Sequence, residues 1–293
     1  SHRWSAIDWA NQPRGEQIVT TLQMAARPTT TYGRRWRLPR GRGIEGAEVS
    51  PPVDPYLLGL WLGDGATNAG YIHNAPADYV ELSAGIDHTI SRDARAGVVR
   101  WLPTGLRAKL RAMGLLGNKH IPGAYLYASR AQRLELLRGL MDTDGHTTPR
   151  GNCTWAQKDR ALAGQVAELV RSLGDRASVV VAQDARSTTG ESCKVHFSPA
   201  IRPFRLRRKA GRFPWRKRTS THWPAVETVE PVTSVPVRCI AVDSEDHLFV
   251  IGRGFHLTHN THRWYTPRLK HAYQTMMLNI PKRRTADAWS LEV

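Results

Sequence analysis

One short pattern occurs twice in the 293-residue chain, and this repeat restricts the possible folds more than any other feature. The nonapeptide LLGLWLGDG occupies Leu57–Gly65 and LRGLMDTDG occupies Leu137–Gly145, so that Asp64 and Asp144 take matching positions. Each copy begins as an apolar helix, and the glycine after each aspartate lets that helix stop in a left-handed conformation. The repeat therefore predicts two equivalent helices, each with a carboxylate at its end.

Small residues inside each copy predict how the two helices meet. Gly59 and Gly63 lie four positions apart in the first copy, and Gly139 and Thr143 lie four positions apart in the second. Residues with this spacing share one face of a helix, and small side chains on that face let two backbones approach closely. We expect the helices to pack through these faces, which brings the two aspartates together at one end.

A carboxylate pair at this position indicates a metal ion. Asp64 and Asp144 would face the negative ends of the helix dipoles and would also repel each other. A divalent cation removes both conflicts, and oxygen ligands with access to solvent favour Mg²⁺, held between the two acids and the phosphate oxygens of a substrate. A surface aspartate that caps a turn before glycine is the simpler interpretation of a single copy, and the repeat argues against it.

The charge of the chain indicates the class of partner. There are 42 Lys and Arg against 25 Asp and Glu, a formal net charge of +17, which predicts a polyanion. Nucleic acid is favoured over a membrane surface, because no basic amphipathic helix accompanies the charge. Two basic stretches with interleaved aromatic residues, Gly33–Arg42 and Arg202–Arg218, suit a nucleic-acid backbone unless they are solvated linkers. The predicted contacts are Arg34, Arg35, Arg37, Arg205, Arg207, Arg208, Lys209, Arg212, Trp215 and Arg216.

Length and composition set further limits. The length suggests about two domains, no apolar run approaches the roughly 18 residues of a membrane span, and no signal peptide opens the chain. We therefore expect a soluble protein in the cytoplasm of a bacterial or phage-infected cell, without a membrane partner. The 3 cysteines support neither a disulfide framework nor a zinc site. Helical periods at Leu106–Met113 and Ala161–Leu173 and β-rich runs at 178–181 and 194–197 predict a mixed α and β centre, followed after residue 224 by short strands.

The two nonapeptides resemble the paired motifs of LAGLIDADG homing endonucleases, in the form that carries both motifs in one chain. The resemblance covers roughly residues 54–197 and implies an α+β fold class, with an αββαββα unit repeated about a pseudo-two-fold axis. It also implies that Asp64 and Asp144 bind the Mg²⁺ ions that activate water and stabilise the leaving oxygen at each scissile phosphodiester. The implied partner is double-stranded DNA with a long recognition site, bound by a monomer.

The same resemblance implies roles for basic residues near the motifs. Asn118–Pro122 reads NKHIP and resembles the family's Lys-x-Ile-Pro stretch, which makes Lys119 the residue that polarises the attacking water or the phosphate. Its counterpart in the second half is Lys194, with Lys158 as the alternative. Asp142 has Leu62 as its equivalent in the first motif, and we therefore expect a structural role for it.

A second chemistry is predicted near the end of the chain, where His259 precedes an Asn260–Thr261 bond. An asparagine amide can attack its own carbonyl and cleave the following peptide bond when a histidine assists, and threonine supplies a hydroxyl nucleophile. The simpler interpretation of such a tripeptide is an ordinary loop. Together with 237–250, however, it resembles the C-terminal blocks of an intein (Hint) domain. The resemblance implies catalytic roles for His2, Cys239, His247, His259, Asn260 and Thr261.

In that resemblance Asn260 cyclises and Thr261 accepts the acyl chain as the first residue of the C-extein. The first block of the family would lie upstream of Ser1, and complete splicing by this chain alone is therefore not expected. The chain then divides into an incomplete N-terminal part of an all-β Hint domain, an inserted endonuclease, the C-terminal part of the Hint domain and a C-extein in the same polypeptide. These segments are 1–50, 51–218, 219–260 and 261–293.

The last segment indicates the host protein. Thr261–Trp264 and the following TPRLK resemble the stretch after the Walker B pair of phage terminase large subunits. The overall interpretation is an intein-encoded DNA endonuclease that makes a double-strand break at the intein-free allele, with cleavage at Asn260–Thr261. The alternative is a maturase-like or degenerate homing protein that binds nucleic acid without cutting it.

Overall fold

The chain forms two units. The computed structural model describes residues 3–10, 15–31, 33–39, 43–91, 97–184, 190–214, 225–231, 242, 245 and 247–259. A split unit combines 1–41 with 219–293, and a central unit comprises 42–218. The central unit is thus inserted between two parts of the split unit. The inserted segment was expected at 51–218, and the central unit has an earlier N-terminal limit, at residue 42.

The earlier limit has a physical cause, because the stretch from residue 43 is bound to the central unit. Ile44 N donates to Ser172 O at 2.9 Å, and the guanidinium of Arg133 donates to the Ile44 carbonyl. Arg133 is fully buried and also donates to Ala128 O at 2.9 Å and to Ser172 O at 2.7 Å. A buried cation needs such a complete set of acceptors. The segment is therefore an attached part of the central unit.

The split unit is built mainly from strands. Its main sheet has the order β13-β14-β1-β2, all antiparallel, and β5 pairs with β1. β14 lies beside β1 with Arg3 opposite His259, which joins the two distant parts of the chain. Ala6, Val19, Met24 and Trp36 form its core. The elements are β1 Arg3–Asp8, β2 Glu16–Thr20, α1 Thr21–Ala26, β3 Thr29–Thr30, β4 Gly33–Arg34, β5 Trp36–Arg37, β13 Leu248–Ile251 and β14 His256–His259.

The central unit mixes helices with two antiparallel sheets. Its first half contains α2 Pro55–Asp64, β6 Ile72–Asn74, α3 Pro76–Leu82, β7 His88–Ser91, β8 Val99–Pro103 and α4 Leu106–Ala112. After α5 Gly123–Leu126, the second half contains α6 Arg130–Asp144, β9 Gly145–Thr147, β10 Cys153–Gln157, α7 Arg160–Ser172, β11 Ala177–Gln183, β12 Glu191–Phe197 and α8 Arg207–Ala210. The strand orders are β6-β8-β7 and β11-β12-β10-β9. The predicted mixture of helices and strands is confirmed.

Local sequence determines where the long helices begin. Asp54 accepts from Leu57 N at the start of α2, and Asp159 caps α7 in the same way. Ser129 and Gln132 form a reciprocal capping box at the start of α6. These side chains satisfy backbone donors that have no partner inside the helix. α2 and α6 are therefore fixed at their first turns, and their last turns carry the two aspartates.

A single apolar core holds the two halves of the central unit together. Trp61, Trp101 and Trp155 are fully buried in it, together with the apolar faces of α2, α6 and α7. Burial of large side chains is the main favourable contribution to folding. Within the described residues, no helix is long and apolar enough to cross a membrane.

Candidate functional site

The site is built on the contact between α2 and α6, where two glycines face each other. A Cβ atom on Gly59 would lie 2.4 Å from Leu136 O, and one on Gly139 would lie 2.2 Å from Tyr56 O. Each of these positions would also be 2.9 Å from the Cα of the other glycine. The two backbones are therefore in direct contact, as the small residues of the repeat predict. The last residues of both helices are brought side by side.

The glycines that follow the aspartates have a different role from the one predicted. Gly65 has φ −78° and ψ 149°, and Gly145 has φ −86° and ψ 147°. Both are extended, so the prediction of a left-handed helix end is wrong. A Cβ atom would lie 2.3 Å from Trp61 O at Gly65 and 2.5 Å from Met141 O at Gly145. These positions need glycine because the backbone folds back closely onto the preceding turn.

Asp64 and Asp144 are the terminal residues of the paired helices, and both carboxylates are partly buried. Burial, and then the charge of Asp144, raise the pKa of Asp64 to about 7. Burial also raises the pKa of Asp144, while the ammonium groups of Lys119 and Lys209 act in the opposite direction. The predicted repulsion between two desolvated carboxylates is therefore present. A cation between them would favour the ionised form of both.

Lys119 lies directly at the end of α2. Its Nζ donates to Leu62 O at 3.0 Å, to Gly63 O at 3.3 Å and to Gly65 O at 2.6 Å. Burial lowers the pKa of Lys119 to about 8. The charges of Asp144 and Asp64 raise this pKa, and the charge of the nearby Lys158 lowers it further. The structure thus places Lys119 beside the carboxylate pair, with an ammonium group that can lose its proton near neutral pH.

The equivalent lysine of the second half is Lys209. Its Nζ donates to Met141 O at 3.0 Å, to Thr143 O at 2.6 Å and to Gly145 O at 2.8 Å. The last two carbonyls are the equivalents of Gly63 O and Gly65 O, which accept from Lys119. The side chain is buried, with 8% of the residue exposed, and burial lowers its pKa. Lys209 was expected among the DNA contacts of the basic stretch, and this expectation is corrected.

Lys194 does not take the place predicted for it. It lies on β12 between Ala156 and Val180 of the neighbouring strands, and its side chain is exposed. The cations that influence the pKa of Asp144 are Lys119 and Lys209. The alternative, Lys158, lies near enough to Lys119 to affect its pKa, but Lys209 holds the position equivalent to Lys119. The basic composition of residues 202–218 concealed this role.

Asp142 has the structural role expected for it. Its carboxylate accepts from Tyr56 Oη at 2.8 Å, from Arg205 N at 3.0 Å and from Leu206 N at 3.1 Å. Burial raises the pKa of this carboxyl, and these three hydrogen bonds lower it. Asp142 therefore anchors the segment that leads to Lys209, and its oxygens are occupied by protein donors.

The rest of the second basic stretch is divided between internal contacts and solvent. Arg205 pairs with Glu135, and its guanidinium lies over the ring of Tyr56. Arg208 pairs with Asp78 through both of its carboxylate oxygens. Arg207 has 93% of its side chain exposed, and Arg212 is exposed as well. Arg205 and Arg208 are therefore engaged in ion pairs while 48% of each side chain stays exposed, and their DNA contacts stay a prediction. Trp215 and Arg216 lie outside the described residues.

The first basic stretch also makes contacts inside its own unit. Arg35 donates to both oxygens of Asp8, at 2.9 and 2.6 Å, and this pair is largely buried. Arg34 lies 3.1 Å from Glu227, and Arg37 lies over the ring of Trp9. Arg35 is thus a structural residue and does not have the free guanidinium that the DNA-contact prediction requires.

Two of the residues predicted for peptide-bond cleavage lie together in the split unit. The rings of His247 and His259 have centroids 5.9 Å apart, edge to face. His259 ends β14 and is buried, and His247 has a positive φ of 54°, a strained conformation for a residue with a side chain. The other predicted residues lie outside the described part of the chain: His2, Cys239, Asn260 and Thr261.

Two residues at the site, Asn74 and Trp101, were not predicted from the sequence. Asn74 Nδ2 donates to Asp64 Oδ2 at 2.8 Å, and Trp101 Nε1 donates to Asn74 Oδ1 at 2.9 Å. Neither residue belongs to a repeated motif. Asn74 lies beside Asp64 because the chain folds back after α2, with Gly65 bridged to Ile72, and Trp101 reaches Asn74 because β6 and β8 are paired. Contacts between separate segments of the chain were the signal required to find them.

The metal that the two aspartates imply would need ligands from outside the protein. Among the described residues, no group of three or more His, Cys, Asp or Glu side chains is arranged to hold a metal ion. Burial raises the pKa of both carboxyl groups, so a bound cation would favour their ionised forms. These carboxylates offer only oxygen ligands, which suits Mg²⁺ when oxygens of the substrate or of water complete the coordination. The site fits a metal shared with a phosphate better than a closed structural site.

Residues 131–196 match the family model of the LAGLIDADG-like domain. The part of the chain from α6 to β12 is thus similar to the LAGLIDADG-like domain. The match begins in α6 and ends in β12, so that it includes Asp144 and most of the second half of the central unit. The first half repeats the helix end and the glycine contact of the matched part. Its Lys119 corresponds to Lys209, which follows the matched residues.

A curated relative and several solved structures are also similar. The relative is the replicative DNA helicase DnaB of Mycobacterium intracellulare, 33% identical over 262 residues that cover 86% of this chain and 43% of that protein. The chain thus spans less than half the length of that relative. The homing endonuclease I-DmoI in complex with DNA and Mn has a TM-score of 0.37 and 16% identity, covering 50% of this chain and 89% of that chain. Its complex with DNA and Ca has a TM-score of 0.37 and 15% identity, and the match covers 55% of this chain and 95% of that chain.

Proposed function

We propose that the central unit is a metal-dependent endonuclease that cuts both strands of DNA. The observation that carries this proposal is the duplicated set of groups at the adjoining helix ends. Each helix end carries one aspartate and binds one lysine, and the charge of each lysine acts more strongly on the aspartate of the other helix: Asp64 with Lys209, and Asp144 with Lys119. Two sets suit two scissile phosphates, one on each strand. Because one chain supplies both, we propose that a monomer is sufficient.

The residues of the site have separate tasks in this proposal. Asp64 and Asp144 would hold Mg²⁺, which supplies the positive charge that activates a water molecule and neutralises a leaving oxygen. Lys119 and Lys209 place positive charges beside the carboxylates, where they can attract phosphate oxygens electrostatically while their N–H donors remain bound to the helix-end carbonyls. The pKa of about 8 at Lys119 suits proton transfer near neutral pH. The glycine contact keeps the two sets adjacent.

Double-stranded DNA is the proposed substrate because of the charge of the chain. A net charge of +17 supplies a large, non-specific attraction to phosphate. Exposed basic side chains remain in the central unit, among them Arg207 and Arg212. We propose that they contact the DNA backbone, whereas the buried lysines act at the scissile groups.

The experiment is cleavage of a plasmid that carries the uninterrupted host gene across the junction at Thr261. With Mg²⁺, the purified chain should linearise this plasmid at that junction. Asp64→Asn and Asp144→Asn should bind the DNA and leave it supercoiled, whereas Asp87→Asn, a change of the same type at an exposed position, should cut normally. Binding by the unchanged chain without linearisation would support the maturase-like or degenerate alternative instead.

We propose in addition that the split unit is the remaining part of a Hint splicing domain. The support is the contact between His247 and His259 and the pairing of β1 with β14, which joins residues next to His2 and Asn260 in sequence. The match to the DnaB relative, at 86% of this chain, is longer than the central unit and so includes part of the split unit. The name of this relative supports a replicative helicase as the host protein. The terminase-like tail stays a prediction that the gene sequence beside residue 293 can test.

Cleavage at Asn260–Thr261 can be tested separately from DNA cleavage. Incubation of the chain should release residues 261–293, as measured by mass spectrometry. Asn260→Ala should prevent this release, and His259→Ala should slow it, while Asp64→Asn should have no effect. Release from the Asn260→Ala variant would contradict the proposed junction.

A further inference from the structure

The carboxylate of Asp64 is held by a short hydrogen-bond network of buried side chains. Asn74, with 5% of its surface exposed, donates from Nδ2 to Asp64 Oδ2 at 2.8 Å. Its Oδ1 accepts from Nε1 of the fully buried Trp101 at 2.9 Å. An indole nitrogen can only donate, and it therefore requires the amide oxygen on its own side. The amide nitrogen is consequently directed towards the carboxylate.

Trp101 is itself fixed by its neighbours. The rings of Tyr79 and His88 meet it edge to face, with centroids 6.0 and 5.2 Å away. Tyr79 Oη and His88 Nε2 are 2.6 Å apart, and His88 Nδ1 lies 2.6 Å from Ile86 O. These contacts leave the indole one orientation. Trp101 therefore fixes the orientation of the Asn74 amide, and the amide in turn restricts the Asp64 carboxylate.

The described residues of the second half contain no equivalent hydrogen-bond network. Gly65 is bridged to Ile72 in the first half, and Gly145 is opposite Trp155 in the second, which makes Gln157 the counterpart of Asn74 by strand register. Gln157 Oε1 accepts from Lys158 N at 2.9 Å. The strand partner of Trp155 is Val195, whereas the strand partner of Ile72 is Trp101.

Asp144 lacks the restraint that Asp64 has. No side chain among the described residues donates a hydrogen bond to Asp144, and Trp155 Nε1 is buried without a hydrogen-bond partner there. A ligand that is already oriented does not need to reorganise when the transition state forms, whereas a free one does. The two carboxylates are chemically alike but not equally ordered.

We propose that Asn74 and Trp101 are positioning residues that preorganise Asp64, and that the two DNA strands are consequently cut at unequal rates. The inference rests on the proposed endonuclease function. Hydrogen-bond partners of metal ligands commonly contribute about 10- to 100-fold to metal affinity or activity. Loss of the Asn74 contact should therefore slow the cutting of one strand and leave the other strand little changed.

The test uses the full chain and a linear duplex with a different fluorophore on each strand. Asn74→Ala and Trp101→Phe should slow the same single strand about 10- to 100-fold, so that duplex nicked in the other strand accumulates. Gln157→Ala makes the same change at the counterpart position of Asn74, and Trp155→Phe makes the same change at a buried tryptophan of the second half. Neither control should alter the cutting of either strand by more than about threefold. Equal slowing of both strands by Asn74→Ala, or the same strand bias from the control variants, would overturn the proposal.

A second readout does not depend on cleavage. Calorimetric titration of the protein–DNA complex with Ca²⁺ should show roughly tenfold weaker binding for Asn74→Ala and Trp101→Phe, and unchanged binding for the two controls. If the unchanged chain binds DNA and Ca²⁺ but does not cut the DNA when Mg²⁺ is supplied, the endonuclease proposal fails while this titration still tests the positioning role. Unchanged Ca²⁺ affinity in Asn74→Ala would overturn that role. Thermal melting of each variant shows whether Trp101→Phe remains folded.

Discussion

Lys119 and Lys209 occupy equivalent positions at the ends of the two paired helices. Each ammonium group donates to three carbonyl oxygens of its helix end, Lys119 at α2 and Lys209 at α6. Carbonyls in the last turn of a helix have no intrahelical donor and carry the negative end of the dipole. Each lysine therefore satisfies these groups and also places a positive charge beside an aspartate.

This equivalence predicts that the two lysines contribute similarly to cleavage. Lys119→Met and Lys209→Met should each lower the single-turnover rate about 10²- to 10³-fold, because each removes one charge next to a scissile phosphate. DNA binding, measured by fluorescence anisotropy, should change little, since both ammonium groups are engaged with backbone carbonyls.

Lys194→Met is the matched control for this prediction. Its side chain is exposed on β12, and the rate should stay within about threefold of the unchanged chain. A large loss of rate in Lys194→Met, combined with normal cleavage by Lys209→Met, would reverse the assignment of the second lysine.

The glycine contact between α2 and α6 predicts a large effect on stability. Gly59→Ala would place a Cβ atom 2.4 Å from Leu136 O, and Gly139→Ala would place one 2.2 Å from Tyr56 O. The opposing atoms belong to helix backbones that cannot move independently. Each change should lower the free energy of unfolding by about 1–3 kcal/mol or more, measured by urea denaturation.

Gly164 provides a control within a helix of the same unit. It lies in α7, is exposed, and has nothing within 4 Å of the position of a Cβ atom. Gly164→Ala should therefore stabilise the protein by up to about 1 kcal/mol through helix propensity alone. Similar effects of the three alanine substitutions would show that the α2 and α6 backbones are not in close contact.

The repeat in the sequence was sufficient to predict the helix pair and the two aspartates. Helix period and side-chain size are local properties, so Gly59 and Gly139 could be placed face to face without a structure. The type of helix end could not be predicted in this way. Gly65 is required by its contact with Trp61 O, and this contact depends on how the chain turns back after the helix.

Residues that reach the site from distant segments could not be predicted. Lys209 lies among many arginines, and a basic run usually indicates exposed charge, whereas its burial depends on where α8 docks. Asn74 contacts Asp64 because the chain turns back after α2 and bridges Gly65 to Ile72, and the sequence does not specify this turn. A tertiary contact thus decided both roles.

The position of Lys209 also depends on the ion pair between Arg208 and Asp78. Arg208 is the neighbour of Lys209 on the short α8, and both nitrogens of its guanidinium edge donate to the Asp78 carboxylate of α3. This bond holds the pKa of Asp78 below its usual range. Arg208→Asp should lower the free energy of unfolding by about 1–2 kcal/mol and slow cleavage, because α8 loses its attachment to the first half.

The reversed pair separates this contact from general damage. Asp78→Arg combined with Arg208→Asp should recover part of the stability and of the cleavage rate, as a double-mutant cycle would show. Arg207→Ala, at the adjacent and 93% exposed position, should change stability by less than about 0.5 kcal/mol. Additive losses in the double variant would indicate that the pair does not hold α8.

The carboxylate of Asp64 makes the stability of the metal-free protein depend on pH. Its pKa is about 7 in the folded chain, raised by burial and by Asp144 from a usual value of 3.8. The folded state therefore binds a proton between about pH 4 and pH 7 that the unfolded chain has lost, and stability decreases as the pH rises through this window.

Asp64→Asn removes the titrating group without a large change in shape. The variant should therefore melt at a higher temperature than the unchanged chain above pH 7, and this advantage should decrease towards pH 4. Added Mg²⁺ should stabilise the unchanged chain at pH 8 more than at pH 5, because binding must displace this proton. Melting curves by circular dichroism at pH 5 and pH 8, with and without Mg²⁺, measure both effects, and a constant difference between the two proteins across this range would contradict the raised pKa.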